Sequence, residues 1–230
     1  MPTPQANPAA KPLKLNTTAY CLLGLIKLKP QSAYDLTKFL ERSMLKFSLP
    51  RTPSQLYNEP KKLAKQGLLD SETEMRNGRE RTLYRITREG ERLLSEWLLQ
   101  PGEAAKIEFK SLLKFYLAGA SDVDALKNRI AEIKQQTLQE ASDVHAQISR
   151  FTSKGLILPE VAVNAALTSR FAVAQIKARL HWVDEMEQLL MDSSMNTDAE
   201  QWALEIYQQS QKDLLELLDR QLPSEVSHDQ

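Results

Sequence analysis

The segment between Pro53 and Gly67 concentrates side chains that hydrogen-bond or carry positive charge. Gln and Asn can pair with the edge of adenine through two hydrogen bonds, and Lys meets phosphate as a point charge. A residue that caps a helix N-terminus adds backbone N–H groups which attract phosphate. This chemistry predicts contact with DNA, with Gln55 and Asn58 toward bases and Lys61 and Lys62 toward phosphates. The predicted set on this segment is Thr52, Ser54, Gln55, Tyr57, Asn58, Lys61 and Lys62.

A second cationic group surrounds the dipeptide Asn77-Gly78, with Arg76, Arg79 and Arg81 on either side of it. Asn-Gly between two alternating segments is a strong signal for a tight β-hairpin. An arginine at the tip of such a hairpin can reach a minor groove or the phosphate backbone. These three arginines are therefore added to the predicted DNA-contacting set.

The charges along the chain are distributed unevenly, although 30 basic and 30 acidic side chains cancel overall. Residues 1–100 hold 17 Lys or Arg and 10 Asp or Glu, a balance of +7, and residues 101–230 hold 13 and 20, a balance of −7. A basic half joined to an acidic half indicates that one part of the chain meets a polyanion.

The sequence does not contain the residue patterns that disulfide frameworks, zinc sites or nucleotide-binding loops require. The lone Cys21 excludes an internal disulfide framework and a Cys-based zinc site, and it fits a reducing cytoplasm. The histidines at 145, 181 and 228 lie far apart, and the seven glycines form no phosphate-binding motif. No apolar run is long enough to cross a membrane. We therefore expect a cytoplasmic protein that is not an enzyme and has no cofactor or metal.

The elements that must position these residues begin with three helices. The first starts at Thr17 or Thr18, and the second runs from Ala33, capped by Ser32, to about Met44. The third has Thr52 as N-cap, Pro53 as first residue and Gly67 as its stop. Pro60 predicts a kink or break near Asn58-Glu59, because proline removes a helical hydrogen bond.

Two strands follow, over Leu68–Met75 and Arg81–Thr87, with the tip of the hairpin at Arg76–Glu80. Three helices followed by a β-hairpin form a winged helix-turn-helix. The third helix is the only segment with a suitable outward face, so it is predicted to enter the major groove, whose width of about 12 Å admits a helix.

The rest of the chain reads as helix, so the fold class is mainly α. Apolar residues at helical spacing predict helices over Ile107–Leu117 and Val123–Phe151, one opened by Pro159, and a last one from a capping box at Thr197 to Leu222. The predicted division is a disordered tail 1–14, a winged helix 15–100, a coiled-coil-like dimerisation domain 103–222 and a tail 223–230. The long apolar stripes need partners, either each other or a second subunit.

Three segments and their spacing resemble the PadR family of transcriptional regulators: LGLIKLKPQSAYDLTKFLE, PSQLYNEPKKLAKQGLL and RTLYRITREGERLLSEWL. The Tyr57-x-x-Pro60-x-x-Leu63 arrangement also occurs in that family. From Phe109 to about Met191, FKSLLKFYLAGA and FAVAQIKARLHWVDEMEQLL are similar to the helical C-terminal domain of the longer, virulence-activator-like members. The resemblance implies a homodimer joined by its C-terminal helices, binding double-stranded DNA at a pseudo-palindromic operator, with repression the commoner outcome.

A small-molecule effector is a further hypothesis. Aromatic residues on helices on both sides of the division at residues 101–102 could line a ligand site. The candidates are Trp97, Phe109, Tyr116, Phe171, His181 and Trp182. Such aromatic stripes are more often core.

The alternative function is a winged helix that binds a partner protein without binding DNA, since a fold does not settle function. Salt separates the two, because log K for DNA falls by about 0.9 per neutralised phosphate for each tenfold rise in salt.

Overall fold

A computed structural model describes residues 15–48, 53–76, 78–104, 108–118, 123–156, 158–191 and 198–221. The predicted tails, 1–14 and 223–230, lie outside this part of the chain. The first elements are α1 (Thr17–Leu28), β1 (Gln31–Ser32), α2 (Ala33–Glu41), α3 (Leu45–Ser48), α4 (Pro53–Lys65), β2 (Leu69–Arg76), β3 (Arg79–Ile86) and α5 (Arg88–Leu99). They are followed by α6 (Lys110–Tyr116), α7 (Val123–Lys154), a 3-10 turn (Pro159–Val161), α8 (Ala162–Leu189) and α9 (Ala199–Gln221). The predicted fold class, mainly α with a β-hairpin wing, is confirmed.

The contacts group the chain into two compact units. The winged-helix unit comprises Met1–Lys106 with Ser142–Ala174, and the helical unit comprises Ile107–Ala141 with Gln175–Gln230. These bounds differ from the predicted domains 15–100 and 103–222, because the segment around the turn between α7 and α8 packs with the N-terminal elements. Leu158 packs against their core, and the Gln147 side chain, which is buried, donates to the Arg42 carbonyl.

The starts of the first two helices follow local capping. Asn16 Oδ1 accepts from the Ala19 N–H at 2.9 Å, which caps α1 at the predicted start. Ser32 and Asp35 form a reciprocal capping box at the start of α2. The predicted extension of α2 to Met44 is wrong: the helix ends at Glu41, and the Ser43 hydroxyl donates to the Leu40 carbonyl, satisfying a terminal acceptor.

Helix α4 is continuous, so the predicted break near Asn58-Glu59 is wrong. Pro60 costs the helix one hydrogen bond. Its ring is nevertheless fully buried, and Leu56 and Leu63 are buried on the core-facing side of α4. The predicted stop at Gly67 is confirmed, with φ +72° and the Leu68 N–H donating to the Leu63 carbonyl at 3.0 Å. This is a Schellman cap.

The sheet has the strand order β1-β3-β2, all antiparallel. The hairpin is confirmed, and its strands reach closer to the turn than predicted, with Arg76 opposite Arg79. Asn77 lies outside the described residues, whereas Gly78 has φ +73°, as a tight hairpin turn requires. The two-residue β1 was not predicted; it pairs Ser32 with Leu83 and joins α2 to the wing.

The core of the winged-helix unit is aliphatic, and α1 supplies much of it. Its buried members are Ala19, Leu22, Leu23, Leu25, Ile26, Leu36, Leu40, Leu56, Leu63, Leu68, Leu69, Tyr84 and Leu94. Burying one such leucine stabilises the fold by about 1.5–3 kcal/mol. Leu98 of α5 lies outside this core, since its side chain is exposed.

In the helical unit, α7 buries its apolar stripe against α8 of the same chain. Leu126, Ile130 and Ile133 form a cluster with Val183 and Leu190. Two nearby carboxylates bind Lys134 Nζ: Asp184 Oδ1 at 3.3 Å and Glu187 Oε2 at 2.7 Å. Leu126, Ile130 and Ile133 of the α7 stripe are therefore covered within the chain itself.

The ends of the helical unit differ slightly from prediction. The predicted helix start at Ile107 and the predicted cap at Thr197 lie outside the described residues. Asp198 caps α9, because its Oδ1 accepts from the Gln201 N–H at 3.0 Å. Among the described helices, none is both long and apolar enough to span a membrane.

Gly90 in α5 gives a test of this packing. A Cβ added there would lie 2.3 Å from the Leu68 carbonyl oxygen and 2.9 Å from Ile86 Cγ1. We expect Gly90→Ala to lower the free energy of unfolding by about 2 kcal/mol or more, through overpacking against backbone. Urea denaturation followed by circular dichroism measures this.

The matched control is Gly24→Ala, within α1, where an added Cβ meets nothing within 4 Å. That variant should be as stable as the wild type or gain up to about 1 kcal/mol from helix propensity. Equal stability of the Gly90→Ala variant and the wild type would contradict the close approach of α5 to the base of the wing.

Candidate nucleic-acid interface

One face of α4 is polar and accessible. Ser54, Gln55, Tyr57 and Asn58 are exposed in its first two turns. Lys61, Lys62 and Lys65 are exposed in its second half. The structure therefore brings together, on one helix, all of the predicted contacts of this segment that it describes. Thr52 lies outside the described residues.

The opposite face of α4 holds the helix in place. Leu56 and Leu63 are buried, and Glu59 between them keeps a largely buried carboxylate. Asn16 Nδ2 donates to Glu59 Oε1 at 3.2 Å, and Lys62 Nζ lies 3.5 Å from the same oxygen. Glu59 thereby connects the start of α1 to α4, and Lys62 is partly engaged within the domain.

The remaining cations of α4 are free of such pairs. Within the described part of the chain, Lys61 and Lys65 have no carboxylate within ion-pair distance. The Asn58 amide donates to Ser54 Oγ at 3.4 Å, a long bond between two exposed groups. Lys65 is a cation that the sequence analysis did not select; its i+4 spacing from Lys61 was the available signal.

The wing arginines have different surroundings. Arg76 is exposed at the end of β2, next to the turn. The backbone of Arg79 lies opposite it in the first position of β3. Arg81 is largely buried and pairs with Glu74 across the hairpin and with Asp35 of α2, at 2.8 Å from Nη1 to Oδ2. Arg81 thus connects the wing to α2.

Asp35 is the centre of this connection. Its Oδ2 accepts from the Ser32 hydroxyl at 2.8 Å and from the Ser32 N–H at 3.3 Å, as well as from Arg81. Burial acts to raise the pKa of Asp35, but the Ser32 hydrogen bonds and the charges of Arg81 and Arg76 outweigh it and hold the pKa below its usual value. Asp35 and Ser32 were not among the predicted site residues, because the contact of Asp35 with Arg81 joins segments 46 positions apart in the chain.

The six aromatic and histidine candidates for an effector site fall in both units. In the winged-helix unit, Trp97 stacks on Tyr20 with ring centroids 4.6 Å apart, and Phe171 is exposed. In the helical unit, Phe109 and Trp182 pack against one cluster.

The other two candidates in the helical unit point to solvent. Tyr116 is exposed, and the His181 side chain is 77% exposed, with Nε2 3.6 Å from Glu185 Oε1. The helical unit therefore does not gather its four candidates around one cavity.

Two apolar cavities do lie in the winged-helix unit. The larger, about 530 Å³, is bounded by α1, α2, the start of α3, α5 and the start of α8, and its lining includes Tyr20, Cys21 and Trp97. A second, of about 260 Å³, shares Phe39 and Met44 with it. Trp97 is therefore the one effector candidate that lines either of these two cavities.

The fold and this surface define a winged-helix protein of the DNA-binding, transcription-regulating class. Three features specify it: a helix with one buried and one polar face, a hairpin wing with arginine at its tip, and a polar link that joins the two.

Comparison with known proteins gives the family. A sequence profile described as the transcriptional regulator PadR-like family matches residues 22–96. The chain is 32% identical over 126 residues to the negative transcriptional regulator PadR of Bacillus subtilis (strain 168), across 50% of this chain and 68% of that protein. The chain belongs to the PadR-like family of transcriptional regulators, as its sequence motifs predicted, and so to a family of regulators and not of enzymes.

Solved structures share the fold. Bacillus subtilis PadR in complex with operator DNA matches with TM-score 0.66 and 20% identity, over 76% of this chain and 99% of that one. The same protein in complex with p-coumaric acid matches with TM-score 0.62 and 18% identity, over 77% and 100%. The Vibrio cholerae virulence activator AphA matches with TM-score 0.60 and 19% identity, over 76% and 100%.

The Asp35 cluster predicts a pH dependence of stability. Because the folded pKa lies below the unfolded value near 3.8, the cluster stabilises the fold above that pH and the stabilisation is lost as pH falls through the folded pKa. Asp35→Asn should therefore lower the free energy of unfolding at pH 7 and make a progressively smaller difference toward pH 3. Urea denaturation of both proteins across this range measures it.

Glu72→Gln is the control, because it removes an exposed pair with Arg85 on the same hairpin. Exposed pairs contribute about 0–1 kcal/mol, so this change should be small at every pH. A difference between Asp35→Asn and the wild type that is the same at pH 7 and pH 3 would show that the carboxylate does not hold the wing.

Proposed function

We propose that this chain is a homodimeric repressor that binds a pseudo-palindromic operator, with α4 in the major groove and the wing beside it. The observation that carries the proposal is the division of α4 into a buried apolar face and an exposed face of polar and cationic residues. A major groove about 12 Å wide admits such a helix.

Each side chain has a role that its chemistry supports. Gln55 and Asn58, in the first half of α4, face base edges, since an amide can both donate to and accept from adenine. Lys61 and Lys62 face phosphates, which fix the register of the helix on the duplex. Ser54 and Tyr57 supply hydroxyl contacts beside them, and Thr52 is proposed to cap the helix toward a phosphate.

In the wing, Arg76 and Arg79 flank the turn and are proposed to contact the adjacent groove or backbone. Arg81 was predicted to join them. Its pairs with Asp35 and Glu74 support a positioning role, in which it fixes the direction of the wing.

The homodimer is supported by apolar surface that the described part of the chain leaves exposed. On α8, Val163, Leu167 and Phe171 follow at intervals of four residues and all are exposed. α9 carries a second stripe of exposed apolar residues. They are Leu204, Tyr207, Leu214 and Leu218. Two half-sites of a pseudo-palindromic operator require the two α4 helices to lie about 34–36 Å apart, one turn of DNA, or a multiple of it.

Repression and a small-molecule effector are the finer parts of the proposal. The Bacillus subtilis relative is named a negative transcriptional regulator, and its structure has been solved with p-coumaric acid. The larger apolar cavity of the winged-helix unit, with Tyr20 and Trp97 in its wall, has a volume in the range of small-molecule sites. A ligand there releases DNA only if it binds the two states of the protein with different affinity.

The alternative of a protein-binding winged helix has less support. A protein contact centred on α4 would need an exposed apolar patch, and Tyr57, 40% exposed, is the one large apolar side chain at its described surface. Its neighbours on that face are amides, a hydroxyl and lysines.

Selection of bound DNA from a random pool tests the roles on α4. Asn58→Ala should relax the base preference at one position of the site and cost about 1–3 kcal/mol on the preferred sequence. Lys61→Ala should weaken binding to all sequences alike and lower the salt slope by about 0.9. If both variants lose the same DNA affinity on every sequence, Asn58 contacts a phosphate and not a base. If the wild-type protein binds no DNA at low salt, the proposed function is overturned.

Analytical ultracentrifugation of the full chain tests the dimer. Leu167→Asp with Phe171→Asp should raise the dimer dissociation constant by at least about tenfold, because burial of each apolar side chain is worth about 1.5–3 kcal/mol. Met75→Asp, which places a charge on an exposed methionine of the wing, is the control and should leave the mass unchanged. A wild-type monomer at micromolar concentration would overturn the dimer, and an unaffected double variant would remove the contact from α8.

A further inference from the structure

A concave, strongly cationic pocket lies beside the wing in the winged-helix unit, apart from the exposed face of α4. Its volume is about 300 Å³. Lys29 at the end of α1, Lys38 of α2 and Arg42 after α2 contribute to its lining, as do Arg76 and Arg81 of the hairpin. Basic residues from four parts of the chain thus converge on one depression.

Arg81 is paired within the protein, with Asp35 and Glu74, whereas the charges of the other four basic residues are not balanced by an ion pair among the described residues. Asp35 is the one carboxylate among its lining residues, and it is already occupied by Ser32 and Arg81. Among the described residues, no carboxylate oxygen lies within 4.0 Å of the charged nitrogens of Lys29, Lys38 or Arg42. Like charges held together around a concave surface concentrate a positive potential, which a bound anion relieves.

The arrangement favours an anion with several oxygens. Arginine presents a planar fork that matches phosphate, and lysine adds a point charge from another direction. Phe39 and Leu158 give the pocket an apolar wall, which can contact the carbon skeleton that carries the anion. A phosphate ester or diester has both the oxygens and the attached carbon atoms.

We propose that this pocket binds a phosphate group, carried by the DNA backbone or by a free phosphorylated molecule. The proposal extends the proposed function in its first form, because Lys38 and Arg42 would then anchor the duplex outside α4. In its second form it gives the winged-helix unit an anionic ligand site, which shares Phe39 with both apolar cavities and Leu158 with the smaller one.

The test uses the full chain and two matched double variants. Lys38→Gln with Arg42→Gln removes two charges from the pocket, and Lys114→Gln with Lys127→Gln removes two exposed charges from the helical unit. The Arg42 group that binds Gln147 is its backbone carbonyl, and the Lys38 ammonium lies over the exposed Tyr34 ring at 5.5 Å, so neither substitution opens the core. Equal melting temperatures confirm that both variants are folded.

Two probes distinguish the sources of phosphate. Pyrophosphate is titrated calorimetrically, and a double-stranded oligonucleotide obtained by selection is titrated across a series of salt concentrations. If DNA is the source, the pocket variant loses at least about tenfold in DNA affinity, and its salt slope falls by about 0.9 for each contact removed. If a free molecule is the source, wild-type protein binds pyrophosphate and the pocket variant binds it at least tenfold more weakly, with DNA affinity unchanged.

In both cases the helical-unit variant should match the wild type. The proposal is overturned if the pocket variant equals the wild type with both probes, or if the two double variants lose affinity equally, which would indicate net charge alone. Lys61→Ala keeps this result separate from the function itself. If DNA binding depends on Lys61 but neither probe responds to the pocket variant, the proposed function holds and the phosphate site is rejected. If the wild-type protein does not bind DNA, the proposed function is rejected, and the pyrophosphate titration alone tests the phosphate site.

Discussion

Burial of one face of α4 is the constraint on which the interface depends. Leu56 and Leu63 are each worth about 1.5–3 kcal/mol when buried, and a proline inside a helix, as Pro60 is, costs about 3 kcal/mol or more. Because the proline ring is itself fully buried, packing keeps the helix continuous across a residue that would break it in isolation. The opposite face is then free to carry amides and lysines, which a core could not accept without partners.

Polar contacts, and not apolar packing, hold the wing in place. A hairpin with one long exposed strand buries little apolar surface, so its direction depends on directional polar contacts. Asp35 caps α2 through Ser32 and pairs with Arg81 of β3, and β1 adds backbone hydrogen bonds between the same two elements. Apolar packing therefore places α4, and a small polar cluster with a short strand places the wing beside it.

The long helices use their apolar residues in two ways. Ile130 and Ile133 of α7 are buried against α8 within the helical unit, whereas Leu167 and Phe171 of α8 stay exposed. Helical periodicity is the same for both stripes, because it reports which residues share a face and not what covers that face. The same limit applies to the six effector candidates: Phe109 and Trp182 pack against a core cluster, Trp97 lines a cavity, and Tyr116, Phe171 and His181 are exposed.

The sequence by itself determined the elements whose signals are local: the hairpin at Asn77-Gly78, the stop at Gly67, the cap at Ser32, the polar face of α4 and the PadR-like motifs. Turn chemistry and capping act within a few residues, so they can be read from neighbours in the chain. The tertiary structure decided what depends on distant partners: the continuity of α4 at Pro60, the pairing of Arg81 with Asp35, the strand β1, and the packing of 142–174 with the N-terminal elements. Desolvation and charge pairing are set by residues that come together only on folding, and no local pattern encodes them.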